Sequence, residues 1–216
     1  MSPLEAVADR RPRAPLRRLP VAGNAVYLTF DDGPDPHWTP RILDLLERHH
    51  ARASFFVIGQ LASRFGPLLR QAHAAGHVIG SHGWSHRHPW TLGSVAAHRE
   101  VRSARDAIQQ VVGERATWFR PPHGRLTPQL TAAAHAWEQR IALWSRSAID
   151  WGPFGRADDV ARRLDAVRSG DIVLLHDGPW LQNRPAATLG ALPSLLARMQ
   201  REGRALLPLP DATLAA

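Results

Sequence analysis

The chain has 216 residues, no cysteine and a net charge of +8 with histidine neutral, and its 27 basic residues are all arginine. This length allows one large domain, and the lack of cysteine excludes disulfides, thiolate catalysis and cysteine-ligated zinc. No run approaches the roughly 18 apolar residues of a membrane span. The first twenty residues lack the apolar core of a secretory signal, so the sequence predicts a cytoplasmic protein.

The N-terminal segment differs in composition from the rest of the chain. Residues 1–23 are rich in proline and arginine, which predicts a flexible basic arm. Its arginine cluster offers a weak contact with a membrane surface (Arg10, Arg11, Arg13, Arg17 and Arg18). The other arginines are scattered without interleaved aromatic residues, so we expect no nucleic-acid binding. A single folded domain is expected over residues 24–210.

From residue 25 the chain alternates between apolar runs typical of buried strands and segments with helical apolar spacing. Strands are predicted at residues 25–30, 53–59, 77–82, 117–120, 140–145, 171–176 and 204–209. Helices are predicted after Thr39 and Thr127, each read as a cap followed by proline, and over 61–75, 94–112, 158–167 and 189–201. The alternation indicates an α/β fold with a parallel sheet. A distorted or incomplete (β/α)7 barrel fits best, and an open doubly wound sheet is the alternative.

Polar side chains follow several of these strands, at the edge where both architectures form active sites. Asp31 and Asp32 end the first strand, and His82 and His86 follow the third in the stretch SHGWSH. A spacing of four places two imidazoles on one side of a helical turn, which is a common way to bind a divalent ion. In a chain with 12 histidines such a pair is weak evidence by itself.

The adjacent carboxylates strengthen the case for a metal. Two neighbouring buried carboxylates repel each other unless a cation neutralises one of them. One aspartate would complete a His-His-Asp set with room left for water or substrate. The other would then act as a base, and zinc can lower the pKa of water to about 7.

Five stretches together carry a resemblance to a known family. TFDDGP, SHGWSH, RPPHG, IDW and LLHDG, in this order, resemble the motifs of the polysaccharide deacetylases, carbohydrate esterase family 4, over about residues 25–210. The chain is most similar to the small rhizobial chitooligosaccharide deacetylases of that family. The resemblance implies a barrel of the NodB-homology type. It also implies a metal-dependent hydrolase that removes N-acetyl groups from amino sugars in an oligosaccharide, polysaccharide or glycoconjugate.

The resemblance assigns the base and the metal ligands. Asp31 is expected to be the general base and Arg120 to brace it. Asp32, His82 and His86 are expected to hold a divalent metal, most often Zn²⁺, with Co²⁺ and Mn²⁺ as alternatives.

It also assigns the residues around the scissile amide. His176 is expected to protonate the leaving amine, with Asp150 orienting it and tuning its pKa. The backbone N–H near His123 would help to stabilise the oxyanion. Trp151 and Leu174 would form the apolar wall around the acetyl methyl group.

The chain departs from the family pattern at two positions. The motif D-x-x-D-W begins here with Ser147, and Gly83 stands where threonine or serine often follows the first histidine. The missing carboxylate at Ser147 leaves a non-catalytic carbohydrate-binding relative open. A de-N-acylase or deformylase acting on a lipid-linked sugar and an O-acetyl esterase are further alternatives.

Aromatic residues on predicted loops give a last expectation. At least one of four tryptophans is expected to stack on a sugar ring, the alternative being packing beneath the loops (Trp38, Trp84, Trp90 and Trp180). His88 lies close to the metal motif and is a minor candidate for a role.

Overall fold

A computed structural model of the protein describes residues 14–20, 23–180 and 182–212. Within these residues eight strands form one sheet. The strands are β1 (Ala25–Asp31), β2 (Ser54–Val57), β3 (Val78–Ser81), β4 (Trp118–Phe119), β5 (Arg140–Ile141), β6 (Arg146–Ser147), β7 (Ile172–His176) and β8 (Ala205–Leu206).

The order of the strands identifies a barrel. The main path runs β5-β4-β3-β2-β1-β7-β6, while β8 pairs with the start of β1, and the pairings between these strands are parallel. Followed around a circle, this path is the chain order 1 to 7 with one missing pair, between β5 and β6. A doubly wound sheet would instead reverse its strand order at a switch point. The prediction of a distorted (β/α) barrel is therefore confirmed.

Seven α-helices lie among the described residues. They are α1 (Thr39–Arg48), α2 (Gly59–Arg64), α3 (Gly66–Ala74), α4 (Ser94–Val112), α5 (Pro128–Ala136), α6 (Ala157–Leu164) and α7 (Pro185–Arg201). The longest, α4, buries Ala97, Val101, Ala104 and Ile108, the three-to-four spacing of one apolar face. It ends where Gly113 takes a left-handed φ of 85°.

The strands are short and almost wholly buried. β2 and β7 have no exposed residue, as expected where a parallel sheet is covered on both faces. Phe30 and Phe55, on neighbouring strands, stack with ring centroids 5.1 Å apart. The barrel is thus a packed core, and its polar groups collect at the strand ends.

Two details of the predicted helices are wrong. The single helix expected over residues 61–75 is interrupted at Phe65, because Pro67 lacks an N–H and its ring would clash with the preceding turn. Thr39 does not cap α1, since the N-cap is Trp38 and the Thr39 hydroxyl donates to Asp177 Oδ2 at 2.5 Å. The predicted cap at Thr127 is confirmed, because its hydroxyl accepts from Leu130 N at 3.2 Å.

The predicted strand 140–145 is replaced by β5 and β6, which lie at opposite ends of the sheet. Residues 14–20, expected to belong to the flexible arm, lie beside this gap. Leu16 forms a parallel bridge with Ala142, and Leu19 N donates to Gly170 O at 3.0 Å. Both leucines are less than 10% exposed, so their burial holds this part of the arm against the barrel.

Of the five arginines in the arm, two lie among the described residues. Arg10, Arg11 and Arg13 lie outside the described residues. Arg17 is exposed, whereas Arg18 donates to Ser169 O at 2.9 Å and lies 3.5 Å from Asp171. Nothing in the described chain supports a membrane contact of this segment. None of the described helices is both long and apolar enough to cross a membrane.

The packing of residues 14–20 predicts a measurable contribution to stability. Leu16→Ala should lower the free energy of unfolding by about 2–3 kcal/mol, because it removes a buried side chain. Leu207→Ala is the matched control, since Leu207 is 42% exposed, and it should cost less than about 0.5 kcal/mol. Equal effects of the two variants in urea unfolding would show that the segment adds nothing to the fold.

Candidate active site

The predicted site residues meet at the carboxyl edge of the barrel. Asp31 and His176 end the neighbouring strands β1 and β7, and they are partners in the strand register. His82 follows β3, and Arg120 follows β4. Parallel strands bring all their carboxyl ends to one edge, so these separate stretches of sequence form one site.

Arg120 and Asp31 form a fully buried ion pair. Arg120 Nη1 donates to Asp31 Oδ1 and to Thr29 Oγ1, both at 2.7 Å. The other guanidinium nitrogens donate to Ala142 O at 3.2 Å and Leu143 O at 2.9 Å. The guanidinium therefore holds one oxygen of Asp31, while Asp31 still lines the open cleft.

Asp32, His82 and His86 form a compact group of potential metal ligands. One donor atom from each lies within 4.8 Å of the others, and all three residues are buried. Asp32 Oδ1 is 3.4 Å from His82 Nε2 and 3.1 Å from His86 Nε2. An oxygen and two imidazole nitrogens are the donor set that zinc and similar divalent ions prefer.

The tautomer of His82 favours a cation at this point. His82 Nδ1 lies 2.8 Å from Arg120 O, and because a carbonyl only accepts, Nδ1 carries the proton. Burial lowers the pKa of His82 despite the neighbouring carboxylates, so Nε2 keeps its lone pair. That lone pair faces Asp32 Oδ1, which is buried and has no hydrogen bond within the described chain. A positive charge between these two acceptors would relieve their repulsion.

Burial by itself would raise the pKa of Asp32. The neighbouring imidazoles of His86 and His82 outweigh this and lower the pKa below its usual value. Asp32 is therefore an anion at neutral pH, as a metal ligand would need to be.

The histidine pair lies in a loop, so the expected helical turn is wrong. Residues 82–88 are irregular, with Gly83 at a φ of 80° and His86 at 54°. The loop is held from both sides: Gly59 N donates to Gly83 O at 2.9 Å, and Ser85 Oγ donates to Glu100 of α4 at 2.7 Å. The left-handed conformation at position 83 suits glycine, which explains this departure from the family pattern.

Three non-glycine site residues share this left-handed conformation. Asp32, His86 and His123 have φ values of 72°, 54° and 57°. For L-residues this costs about 1–2 kcal/mol each, and such residues concentrate at functional sites.

His176 and Asp150 form a second buried pair across the cleft. His176 Nδ1 lies 2.8 Å from Asp150 Oδ1, and Asp150 Oδ2 accepts from His176 N at 2.7 Å and from Thr188 Oγ1 at 2.5 Å. Burial acts to lower the pKa of His176, but the charge and hydrogen bond of Asp150 raise it to about 9. The imidazole is therefore a cation at neutral pH, with Nδ1–H directed to Asp150.

These groups surround a cleft of about 480 Å³. Its apolar walls include the predicted Trp151 and Leu174, together with Trp144 and Trp180. The exposed ring of His123 also lines it, 4.6 Å from the ring of His86. Partial burial and the neighbouring imidazoles lower the pKa of His123 to about 4, so it is neutral at pH 7.

The four loop tryptophans fall into different positions. Trp180 lines the cleft, whereas Trp84 packs so close to Gly59 that an added Cβ would lie 2.6 Å from its ring. Trp38 packs beside His37 and Arg41. Trp90 is 70% exposed. His88 connects it to the cleft, because the His88 ring lies 4.8 Å from Trp90 and stacks at 4.9 Å on His123.

Several residues that contribute to the site were not predicted from the sequence. Asn183 Nδ2 donates to Asp32 Oδ2 at 2.6 Å, and Thr188 donates to Asp150. Asp177 is buried beneath Gly33, and burial together with the nearby Asp32 and Asp31 raises its pKa to about 7. A lone amide, hydroxyl or carboxyl carries no motif, although Asp177 does belong to the LLHDG stretch.

Ser147 does not disturb the ion pair of Arg120. Its hydroxyl accepts from Ile149 N at 3.1 Å, while the Arg120 side chain donates, among the described residues, to Asp31, Thr29 and two backbone carbonyls. The carboxylate missing at this position is therefore not needed to brace Arg120.

Comparison with known proteins agrees with this geometry. The sequence profile of the polysaccharide deacetylase family matches residues 19–142, more than half of the chain. The chain belongs to the polysaccharide deacetylase family. It is 36% identical over 208 residues to a chitooligosaccharide deacetylase of Sinorhizobium fredii, covering 91% of this chain and 96% of that protein.

Two further relatives support this membership. A peptidoglycan-N-acetylglucosamine deacetylase of Bacillus cereus is 33% identical over 187 residues, covering 86% of each chain. A crystal structure of a peptidoglycan N-acetylglucosamine deacetylase in complex with 4-naphthalen-1-yl-N-oxidanyl-benzamide superposes with a TM-score of 0.84 at 28% identity, covering 91% of both chains. The resemblance read from the motifs and the deacetylase fold are both confirmed.

The buried ion pair predicts a large effect on stability. Arg120→Met should lower the free energy of unfolding by about 3–5 kcal/mol, because it leaves Asp31 buried without its partner. The control is Arg102→Ala, whose pair with Asp106 is 61% and 40% exposed, and it should cost under about 1 kcal/mol. Comparable small losses in denaturant unfolding would contradict the structural importance of Arg120.

Proposed function

We propose that this protein is a divalent-metal-dependent hydrolase that removes N-acetyl groups from amino sugars in an oligosaccharide or other glycan. The observation that carries the proposal is the Asp32–His82–His86 group. It lies beside the arginine-paired Asp31, and His176, paired with Asp150, lines the same cleft.

In this proposal Asp31 is the general base. Arg120 occupies Asp31 Oδ1, which leaves Oδ2 to accept a proton from water. The arginine also fixes the direction of the carboxylate. A base positioned in this way contributes roughly 10² to 10⁴ in rate.

Asp32, His82 and His86 would hold the metal, with Zn²⁺ as the preferred ion and Co²⁺ or Mn²⁺ as alternatives. A divalent cation there supplies positive charge that lowers the pKa of water and polarises the amide carbonyl. The chain itself keeps His82 in the correct tautomer through Arg120 O.

His176 is the proposed general acid. Asp150 holds Nδ1–H and keeps the imidazole protonated, so Nε2–H is the proton available to the leaving amine. The water oxygen that gives its proton to Asp31 bonds to the amide carbonyl carbon. As the carbon–nitrogen bond then breaks, the His176 proton moves to the sugar nitrogen and acetate is released. The Asp150 carboxylate stabilises the imidazolium before the transfer.

The remaining lining residues would orient the acetamido group. The Trp151 ring lies 5.4 Å from the His176 ring, and with Leu174 it offers an apolar surface for the acetyl methyl. The backbone N–H near His123 would donate to the oxyanion that develops on the carbonyl oxygen.

The relatives favour a polymeric or oligomeric amino sugar as substrate. Their printed names refer to chitooligosaccharide and to peptidoglycan N-acetylglucosamine. No observation on the described chain favours a lipid-linked sugar. A purely binding role is disfavoured, since base, acid and candidate metal ligands are all present.

Acetate release tests the reaction. Wild type with Zn²⁺ should release acetate from N-acetylglucosamine oligomers or from a peptidoglycan fragment, and a chelator should abolish this. Asp31→Asn should lower kcat by at least about 100-fold, because the base is lost. Asp44→Asn, on the exposed face of α1, is the control and should behave as wild type. Full activity of Asp31→Asn would exclude Asp31 as the base.

The His176 pair predicts the alkaline limb of the pH profile. Because the acid must be protonated, kcat/KM should fall as pH rises through about 9. Asp150→Asn removes the raising charge and leaves burial to lower the pKa, so the limb should move at least roughly one pH unit lower. Thr188→Val keeps the charge and should shift it less. An unmoved limb in Asp150→Asn would contradict this assignment.

Trp90 predicts a dependence on substrate length. Trp90→Ala should raise KM for a pentasaccharide about 2- to 10-fold through lost stacking, and leave KM for a disaccharide unchanged. Trp137→Ala is the matched control, because the Trp137 ring lies against Arg102 and Arg105 and does not line the cleft. An unchanged KM for the pentasaccharide in Trp90→Ala would exclude Trp90 from the binding surface.

A further inference from the structure

The two oxygens of Asp32 have different surroundings. Oδ1 faces the Nε2 atoms of His82 and His86 and lacks a hydrogen bond within the described chain. Oδ2 accepts a hydrogen bond of 2.6 Å from Asn183 Nδ2. The carboxylate is thereby held with Oδ1 directed at the two imidazoles and Oδ2 hydrogen-bonded to Asn183.

The orientation of the Asn183 amide is fixed by its second contact. Nδ2 also donates to Gly178 O at 3.1 Å, and because a backbone carbonyl only accepts, the NH₂ group must occupy this position. Each of the two Nδ2 protons then has its own acceptor, Asp32 Oδ2 for one and Gly178 O for the other. The backbone is held as well, since Asn183 N donates to Trp180 O at 2.9 Å and Asn183 forms a bridge with Trp151.

The flanking residues connect Asn183 to the acid side of the cleft. Gly152 N donates to Gln182 O at 2.9 Å, and Arg184 N donates to Asp150 O at 2.8 Å. Residues 182–184 therefore contact the backbone of Gly152 and Asp150, and through one side chain they contact Asp32.

We propose that Asn183 is a positioning residue for the metal site, which holds Asp32 as a one-oxygen ligand and so sets the affinity for the divalent ion. The proposal rests on the metal site of the proposed function. A carboxylate without this donor is free to rotate, and its second oxygen loses its only hydrogen-bond partner in the described chain. Groups that orient a ligand in this way are typically worth 10- to 100-fold in metal affinity.

The test measures metal binding directly. Co²⁺ dissociation constants of the full chain are obtained by competition with a chromophoric chelator for wild type, Asn183→Ala and Asn183→Leu, the latter nearly matching the original volume. Both variants should bind Co²⁺ about 10- to 100-fold more weakly. Saturating Co²⁺ should restore most of kcat, because the residue acts through metal occupancy.

The matched control is Asn24→Ala. Like Asn183, Asn24 donates its amide to two acceptors, here the backbone carbonyls of Glu202 and Gly203, but it lies outside the cleft. It should leave the Co²⁺ affinity unchanged. His86→Ala provides the reference for loss of a ligand.

The outcomes separate this proposal from the one on which it rests. If His86→Ala weakens Co²⁺ binding while both Asn183 variants bind within about twofold of wild type, only the role of Asn183 is wrong. If wild type and His86→Ala bind alike, the metal site itself is wrong. Loss of the fold in both Asn183 variants at saturating Co²⁺ would mark Asn183 as a structural residue instead.

Discussion

The buried pair of Arg120 and Asp31 joins the barrel to its active site. A guanidinium with no exposed surface is tolerated only when its donors are satisfied, since removing a charge from water costs several kcal/mol. Arg120 meets this requirement through β1, with Thr29 and Asp31, and through the carbonyls that follow β5. Its own carbonyl then fixes the proton on His82. One residue thus sets the spacing of three strand ends, the direction of a carboxylate and the tautomer of an imidazole.

This arrangement explains how two adjacent carboxylates share one buried turn. Asp31 and Asp32 point to different partners: the first to a permanent cation, the second to the Nε2 atoms of His82 and His86. The left-handed backbone at Asp32, with a φ of 72°, separates the two side chains. Gly33 follows because Asp177 lies where a side chain would have to be, only 2.2 Å from an added Cβ. The turn is therefore packed against Asp177, which directly follows β7.

The sequence was sufficient to predict the barrel and the groups at its strand ends. Parallel strands align their carboxyl ends, so residues that follow separate apolar runs must meet, and the motif order identified which of them matter. Prediction from the sequence was wrong where one local spacing is compatible with more than one backbone conformation. His82 and His86 are four apart in a loop as they would be in a helix, and Thr39 precedes a proline without capping. Asn183, Thr188 and Trp144 belong to no pattern, because their roles depend on contacts across the fold. The burial of Leu16 and Leu19 was not predicted, because both lie in an arginine-rich segment whose composition favours disorder.

The central claim is that Asp32 belongs to the metal and Asp31 to Arg120. Anomalous diffraction at the zinc edge, from crystals grown with zinc, tests this division directly. The account predicts one peak about 2.0–2.2 Å from one oxygen of Asp32 and from Nε2 of both His82 and His86, with Arg120 still paired to Asp31. A zinc peak that takes Asp31 as its carboxylate ligand, or an empty site in crystals that bind zinc elsewhere, would contradict it.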